Sequence, residues 1–326
     1  MTATGAGSTA RAEPPAELVA RFEEAPDRLW PEGGKLGLAV SGGPDSMAML
    51  LLAQAAVPGK FEVATVDHGL RPEARDECEL VLAACEARGI SCEVLPVEVG
   101  EGNVQAQARR ARYLALEAWA LRRGLPAIAT AHHADDQAET LVMRLNRGSG
   151  LTGLAGVRPR ASIPGARLAL LRPLLRWQRA ELAAIVAGAG LEPAQDPSNA
   201  DDAYDRVRIR KALAKADWLD AEAVAASAGH LADADEAIGW IVERVWDEAV
   251  IVAEGGIRYL PGEPRAVALR IVTRIVEGFG GSPRGGAIAR LVADLDNGTG
   301  GNVAGVAASV EDGAWLFRPE SPRRSG

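Results

Sequence analysis

Aromatic residues make up only 4% of the 326-residue chain, and cysteine occurs three times. Cys78, Cys85 and Cys92 form no CxxC and lack a fourth ligand, which argues against zinc or iron–sulfur ligation. Cys78 and Cys85 are seven apart and fall on one helix face, so all three read as packing residues in a reduced, cytoplasmic protein. No apolar run reaches the roughly 20 residues of a membrane helix. The opening MTATGAGSTARAEPP has no apolar core of a secretory signal. Two phosphate-binding patterns are also missing: no lysine precedes the serine of a P-loop, and GxGxxG does not occur.

What is present is a soluble composition, 48% apolar and 25% charged, with a net charge of -8. The charge is uneven. Residues 1–102 carry 8 basic and 17 acidic groups, residues 103–215 carry 18 and 10, and residues 216–326 carry 10 and 17. A basic middle between acidic ends suits a local phosphate-binding surface, and equally suits arginine-rich solvated helices.

Strand and helix signals alternate over the first two-thirds. KLGLAV (35–40), FEVATVDHG (61–69), CEVLPVEV (92–99), AIATAHH (127–133) and ARLALLRPLL (166–175) read as strands, with Pro96 marking an edge. Helical stretches lie between them at 45–57, 73–89, 103–124, 135–148 and 176–190. That alternation predicts an α/β domain with a parallel sheet covered on both faces. GSGLTGLAG reads as a glycine-rich loop, and residues 193–206 as a turn-rich stretch. From about Trp218 the pattern is helical and ends in GNVAGVAASVEDGAWLF, a hairpin signal. The expected division is a tail at 1–30, a catalytic domain at 31–217, a smaller, mainly helical C-terminal domain at 218–318 and a tail at 319–326.

SGGPDS, Ser41 to Ser46, joins the first strand to a helix, where open parallel sheets bind ligands. Gly42 and Gly43 let backbone N–H groups converge on an anion, the helix start near Asp45 adds its unpaired N–H groups, and Ser41 and Ser46 offer hydroxyls. Asp45 beside phosphate needs a bridging cation, for which Mg²⁺ is the natural choice. The plainer alternative is a capping turn with Asp or Ser as cap. AHHADDQAET places His132, His133, Asp135, Asp136 and Glu139 after the fourth strand, facing the same crevice. Adjacent carboxylates there suit Mg²⁺ binding or proton transfer; a helix start with Asp caps is the alternative. The third stretch, QDPSNADDAYDRVRIRKAL, is a turn followed by a basic helix.

In order and spacing, SGGPDS, VDHGLRPEARDE, NVQAQARRARY, AHHADDQAET, RGSGLTGLAG and DPSN…DR…IR together resemble the signatures of the tRNA(Ile)-lysidine synthetases, within the PP-loop N-type ATP pyrophosphatases. The resemblance covers roughly residues 35–213. It implies a Rossmann-like pyrophosphatase domain and a carbon–nitrogen ligase that uses ATP and Mg²⁺. Its substrates would be free L-lysine and a tRNA(Ile) with a CAU anticodon, and a homodimer is an accompanying expectation. By the same resemblance, Ser41 to Ser46 would hold ATP, with Asp45 on the metal. Arg112 would offset charge on the phosphate, Asp136 would position cytidine or metal, and Glu139 would receive the ammonium or a proton. His133, Asp135, Arg147, Ser198, Asn199, Arg206 and Arg208 would contact substrate or tRNA. Two departures stand out: Val207 replaces the usual Asn, and the further C-terminal domain of many relatives is missing. A thiolating PP-loop enzyme and a silent tRNA-binding PP-loop protein are the alternatives.

Overall fold

The computed structural model describes residues 13–69, 73–100, 102, 104–163, 168–194, 205–283 and 285–320. The chain divides into two compact units, Met1–Ala232 and Asp233–Gly326.

The first unit opens with helix α1 (Ala16–Leu29), where the sequence suggested a tail. Phe22 and Leu29 are buried in the main core, and Arg21 pairs with Glu181 at 2.7 Å while stacking 4.4 Å over Trp177. The run of charges between its apolar residues hid an amphipathic helix. There follow β1 (Leu36–Ala39), α2 (Pro44–Ala56), β2 (Phe61–Asp67), α3 (Glu73–Glu86) and β3 (Cys92–Pro96). Next come α4 (Val104–Arg123), β4 (Ala127–Ala129), α5 (Ala134–Asn146), the single turn α6 (Leu151–Leu154) and β5 (Arg160–Ser162). The unit continues with β6 (Ala169–Leu171), α7 (Arg179–Gly188) and α8 (Asp205–Leu213). Within the stretch read as a glycine-rich loop, α6 is a short helix.

The strands form one sheet in the order β3-β2-β1-β4-β6-β5. All neighbours are parallel except β5, which runs antiparallel to β6. β3 is an edge strand, as Pro96 indicated. From β1 the order runs to β2 on one side and to β4 on the other, so a crevice opens beyond the carboxyl ends of β1 and β4. α2 is apolar all round because it is buried by the sheet, α1 and α7, with Met47 to Ala53 almost wholly enclosed. On the other face Gly37 admits Trp119 of α4; a Cβ at that glycine would sit 2.6 Å from the indole. Cys78 and Cys85 are buried and Cys92 partly so, all as free thiols, in line with a packing role.

The division between the compact units, at 232/233, falls inside the long helix α9 (Ala221–Ala249). No glycine–proline break marks that position. The second unit continues with β7 (Val250–Ala253), β8 (Gly256–Tyr259), α10 (Arg265–Gly278), α11 (Gly285–Asp296), β9 (Gly301–Val303), β10 (Val306–Glu311) and β11 (Ala314–Pro319). Beside its helices it holds a five-stranded antiparallel sheet, β7-β8-β11-β10-β9, of which the sequence showed only the end. That end is a three-stranded meander. Its turns are Ala304–Gly305 and Asp312–Gly313, each with two left-handed residues as tight hairpins require. Pro319, the expected start of a tail, ends β11. Tyr259 meets Trp315 edge-on at 5.5 Å in this unit's own core.

Candidate active site

A cavity of about 610 Å³ opens at the crevice and brings Ser41–Ser46 of the glycine loop together with His132, Asp136, Glu139 and Arg206. The loop is closed by its own hydroxyls. Ser46 Oγ donates to the Gly43 carbonyl at 2.9 Å and accepts from the Ser41 amide at 3.1 Å. Gly42 has φ +85°, and a Cβ there would press to 3.1 Å against the Glu77 carbonyl, so this position requires glycine. The helix cap is Gly43, with no side-chain hydrogen bond, and Pro44 occupies the first turn. Capping is therefore not the role of Asp45. Its Oδ1 is buried without a partner, and Oδ2 lies 3.4 Å from His133 Nε2.

His133 is the N-cap residue of α5 and is almost entirely enclosed. Its ring also has Asp135 Oδ2 at 3.4 Å from Nδ1 and Asp136 Oδ2 at 3.6 Å from Nε2. Burial opposes its charge, but the Asp135, Asp45 and Asp136 carboxylates outweigh burial and lift it to about 9. Its neighbour goes the other way. His132, bonded to Thr130 Oγ1 at 3.0 Å, is pushed down to about 4 chiefly by burial, with Asp136 opposing and Arg172, Arg109 and Arg206 adding to the fall. Two adjacent histidines thus hold opposite charge states at neutral pH. Asp135 accepts from the Arg179 amide at 2.8 Å; against the pull of burial, His133 and that amide bring it down to about 2. Asp136 takes the His133 amide at 3.1 Å, closing the first turn as a cap would, and likewise lies below the usual carboxylate range despite its burial.

Glu139 and Arg206 are joined in one ion-pair network. Buried Glu139 accepts from Arg206 Nε at 2.8 Å and Arg179 Nη2 at 3.2 Å, with Arg210 Nε at 3.7 Å. Engaged by three guanidinium groups, its carboxylate is not open to an ammonium or a proton. Arg206 also reaches Asp136 at 2.6 Å and lines the cavity, while its side chain stays exposed. Arg208 is exposed and pairs with Asp205, which also attracts Arg147 at 3.7 Å. Val207, in place of the usual Asn, is buried as an apolar anchor of α8. Ser198 and Asn199 lie outside the described residues. Arg112 lines the cavity as expected.

Sequence reasoning missed Arg109, Tyr113, Arg179 and Arg210. Arg109 and Arg210 were legible in principle, one helical turn from Arg112 and Arg206 respectively. Arg179 carries no such signal, since only the fold brings α7 to α5.

A PP-loop domain family matches residues 17–217. A tRNA(Ile)-lysidine synthase from Novosphingobium aromaticivorans is 52% identical over 90% of this chain and 91% of its own length. The protein of the same name from Zymomonas mobilis is 41% identical, again over 90% and 91%. Among solved structures, the U34-tRNA thiolase NcsA from Methanococcus maripaludis, with its 4Fe-4S cluster, aligns with a TM-score of 0.54 at 16% identity. That alignment covers 67% of this chain and 80% of that one, a likeness of fold.

Proposed function

Because the chain belongs to the PP-loop family of tRNA(Ile)-lysidine synthases, we propose that the cavity between Ser41–Ser46 and the Asp136–Arg206–Glu139 network is where it attaches lysine to a tRNA cytidine. The reaction is the ATP-dependent ligation of lysine to C2 of the wobble cytidine of tRNA(Ile) with a CAU anticodon. The observation that carries the assignment is that the closed glycine loop and the buried network share one wall-to-wall cavity.

The C2 oxygen is a poor leaving group. It attacks the α-phosphorus of ATP, and pyrophosphate leaves; the amine of lysine then adds at C2, AMP departs with that oxygen, and a proton is shed. The loop amides and the α2 N-terminus hold the polyphosphate, and Ser41 donates its hydroxyl. Arg112 meets the charge that builds on phosphorus. Asp136, fixed by Arg206 and the His133 amide, orients the cytidine. Asp45 fits a magnesium ion: its Oδ1 is unpartnered beside the phosphate cradle, and Mg²⁺ takes one or two carboxylates plus substrate oxygens. When bound, the ion offsets the repulsion between that carboxylate and the phosphates. An enzyme of tRNA maturation works in the cytoplasm; among the described residues no helix is long and apolar enough to cross a membrane. Thiolation is disfavoured because none of the three cysteines lines the cavity.

Incubation with ATP, tRNA and lysine should yield AMP and pyrophosphate together with lysine-labelled RNA, resolved by chromatography. ADP as the nucleotide product would refute the reading. Asp45→Asn should reduce AMP formation by about a hundredfold or more. Its unfolding free energy in urea should fall by only about 1 kcal/mol, because Gly43 caps the helix and His133 keeps Asp135 and Asp136. An Asp45→Asn enzyme of full activity would remove the metal-binding role.

A further inference from the structure

Two arginine groups in different electrostatic states lie at the cavity, all but Arg172 lining it. Arg179, Arg206 and Arg210 are neutralised by Glu139 and Asp136. Arg109, Arg112 and Arg172 surround Tyr113, and among the described residues no carboxylate pairs with any of them. Arg109 Cζ lies 5.1 Å and Arg112 Cζ 5.5 Å from the Tyr113 ring centre. Burial and the like charge of Arg109 pull both Arg112 and Arg172 below the usual guanidinium range, with Tyr113 opposing. The Tyr113 hydroxyl and Arg172 Nε are buried and have no hydrogen-bond partner. Tyr113 is only 7% exposed and lines the cavity. On the cavity wall Arg109 and the unpartnered Tyr113 hydroxyl, with Arg112 beside them, Arg172 behind and no counter-charge among the described residues, form a ready oxyanion site.

We propose that Arg109 and the Tyr113 hydroxyl, backed by buried Arg172, form the subsite that binds the α-carboxylate of the incoming lysine, while Arg112 stays with the phosphate. This rests on the proposed function and names a substrate contact within it. Burial selects the anion. A tRNA phosphate, tied to two sugars, cannot follow an oxygen down to a hydroxyl as enclosed as that of Tyr113, whereas the end of a free amino acid can. The polyphosphate of ATP already has its cradle in Ser41–Ser46. Attack through the side-chain amine leaves the carboxylate at the far end of an extended chain, about 7 Å from the reacting nitrogen, which is within the span of this cavity. Planar guanidinium groups match a carboxylate in a forked geometry. Neutral His132 beside the cluster adds no competing charge.

The test compares lysine with 1,5-diaminopentane, which keeps the amine but lacks the carboxylate, using Tyr113→Phe and Arg109→Ala. Arg109 is exposed and the Tyr113 hydroxyl makes no bond in the free protein, so both variants should fold, as thermal melts will verify. With ATP and tRNA saturating, each variant should lower kcat/KM for lysine about ten- to hundredfold by raising KM. Turnover of the diamine, or its inhibition constant against lysine if it does not react, should change less than about twofold, as should KM for ATP. Equal losses with lysine and diamine overturn the proposal, as does a loss confined to ATP, which makes the site a phosphate subsite, or to tRNA, which makes it an RNA contact. If the wild-type protein forms no lysine-labelled RNA, the proposed function fails first, and that is seen before any variant is compared.

Discussion

Glu139→Gln should unfold about 6–12 °C below the wild-type protein, a loss of about 3 kcal/mol. Glu139 is one carboxylate on α5 that engages guanidinium groups from α7 and α8. Removing its charge while keeping its shape leaves Arg179 and Arg210 without a counter-ion among the described residues, and Arg206 with Asp136. Breaking a buried pair from one side costs about 3–5 kcal/mol; the lower end applies because the arginines are themselves partly exposed. AMP formation should fall too, because Arg206 no longer has the second anchor that holds it against Asp136. A scanning melt of both proteins decides the matter. A Glu139→Gln enzyme as stable as wild type but inactive would return Glu139 to the chemical role that the sequence suggested.

That contrast shows what was legible. The loop was readable because strand, two glycines and helix are consecutive, and short-range geometry alone places Ser41 to Ser46 at the sheet's carboxyl edge. The carboxylates after β4 were readable for the same reason. What their partners would be was not. Arg206 reads as one of several basic residues on a helix, and nothing local says that it folds back over 70 residues of chain to meet Asp136. Its place at the cavity wall is a tertiary fact. The alternation of Arg206, Arg208 and Arg210 with Val207 does hold the clue: on a helix, 206 and 210 share a face while 208 points away.

The missed elements have physical causes as well. α1 was taken for a tail because Glu23, Glu24, Pro26 and Asp27 dilute its apolar stripe, yet Phe22 and Leu29 are enough to bury one face. β7 follows α9 with no breaker, so Val250–Ala253 reads as one more helical turn. The sheet of the second unit is assembled from strands of three to six residues, too short for alternation to stand out.

The stability of the wild-type protein should depend on pH through His133, and the sign follows from its surroundings. The ring is enclosed and faces Asp45, Asp135 and Asp136, with a folded value of about 9 against an ordinary 6.5. Between those values the folded protein keeps a proton that the unfolded chain has released. The contribution is therefore fully present below about 6.5 and is lost as pH rises through about 9. A difference of about 2.5 in pKa corresponds to about 3 kcal/mol. Asp135 acts in the opposite range, its share being present above its ordinary 3.8 and lost as pH falls towards about 2. Urea unfolding of wild type and His133→Asn at pH 6, 8 and 10 separates His133 from every other titrating group, because the rest are common to both. The gap should be about 3 kcal/mol at pH 6 and should close to below about 1 kcal/mol by pH 10. A gap that stays constant across this range would mean that the ring is neutral throughout, and that Asp45 and Asp135 are held apart from Asp136 by something other than an imidazolium.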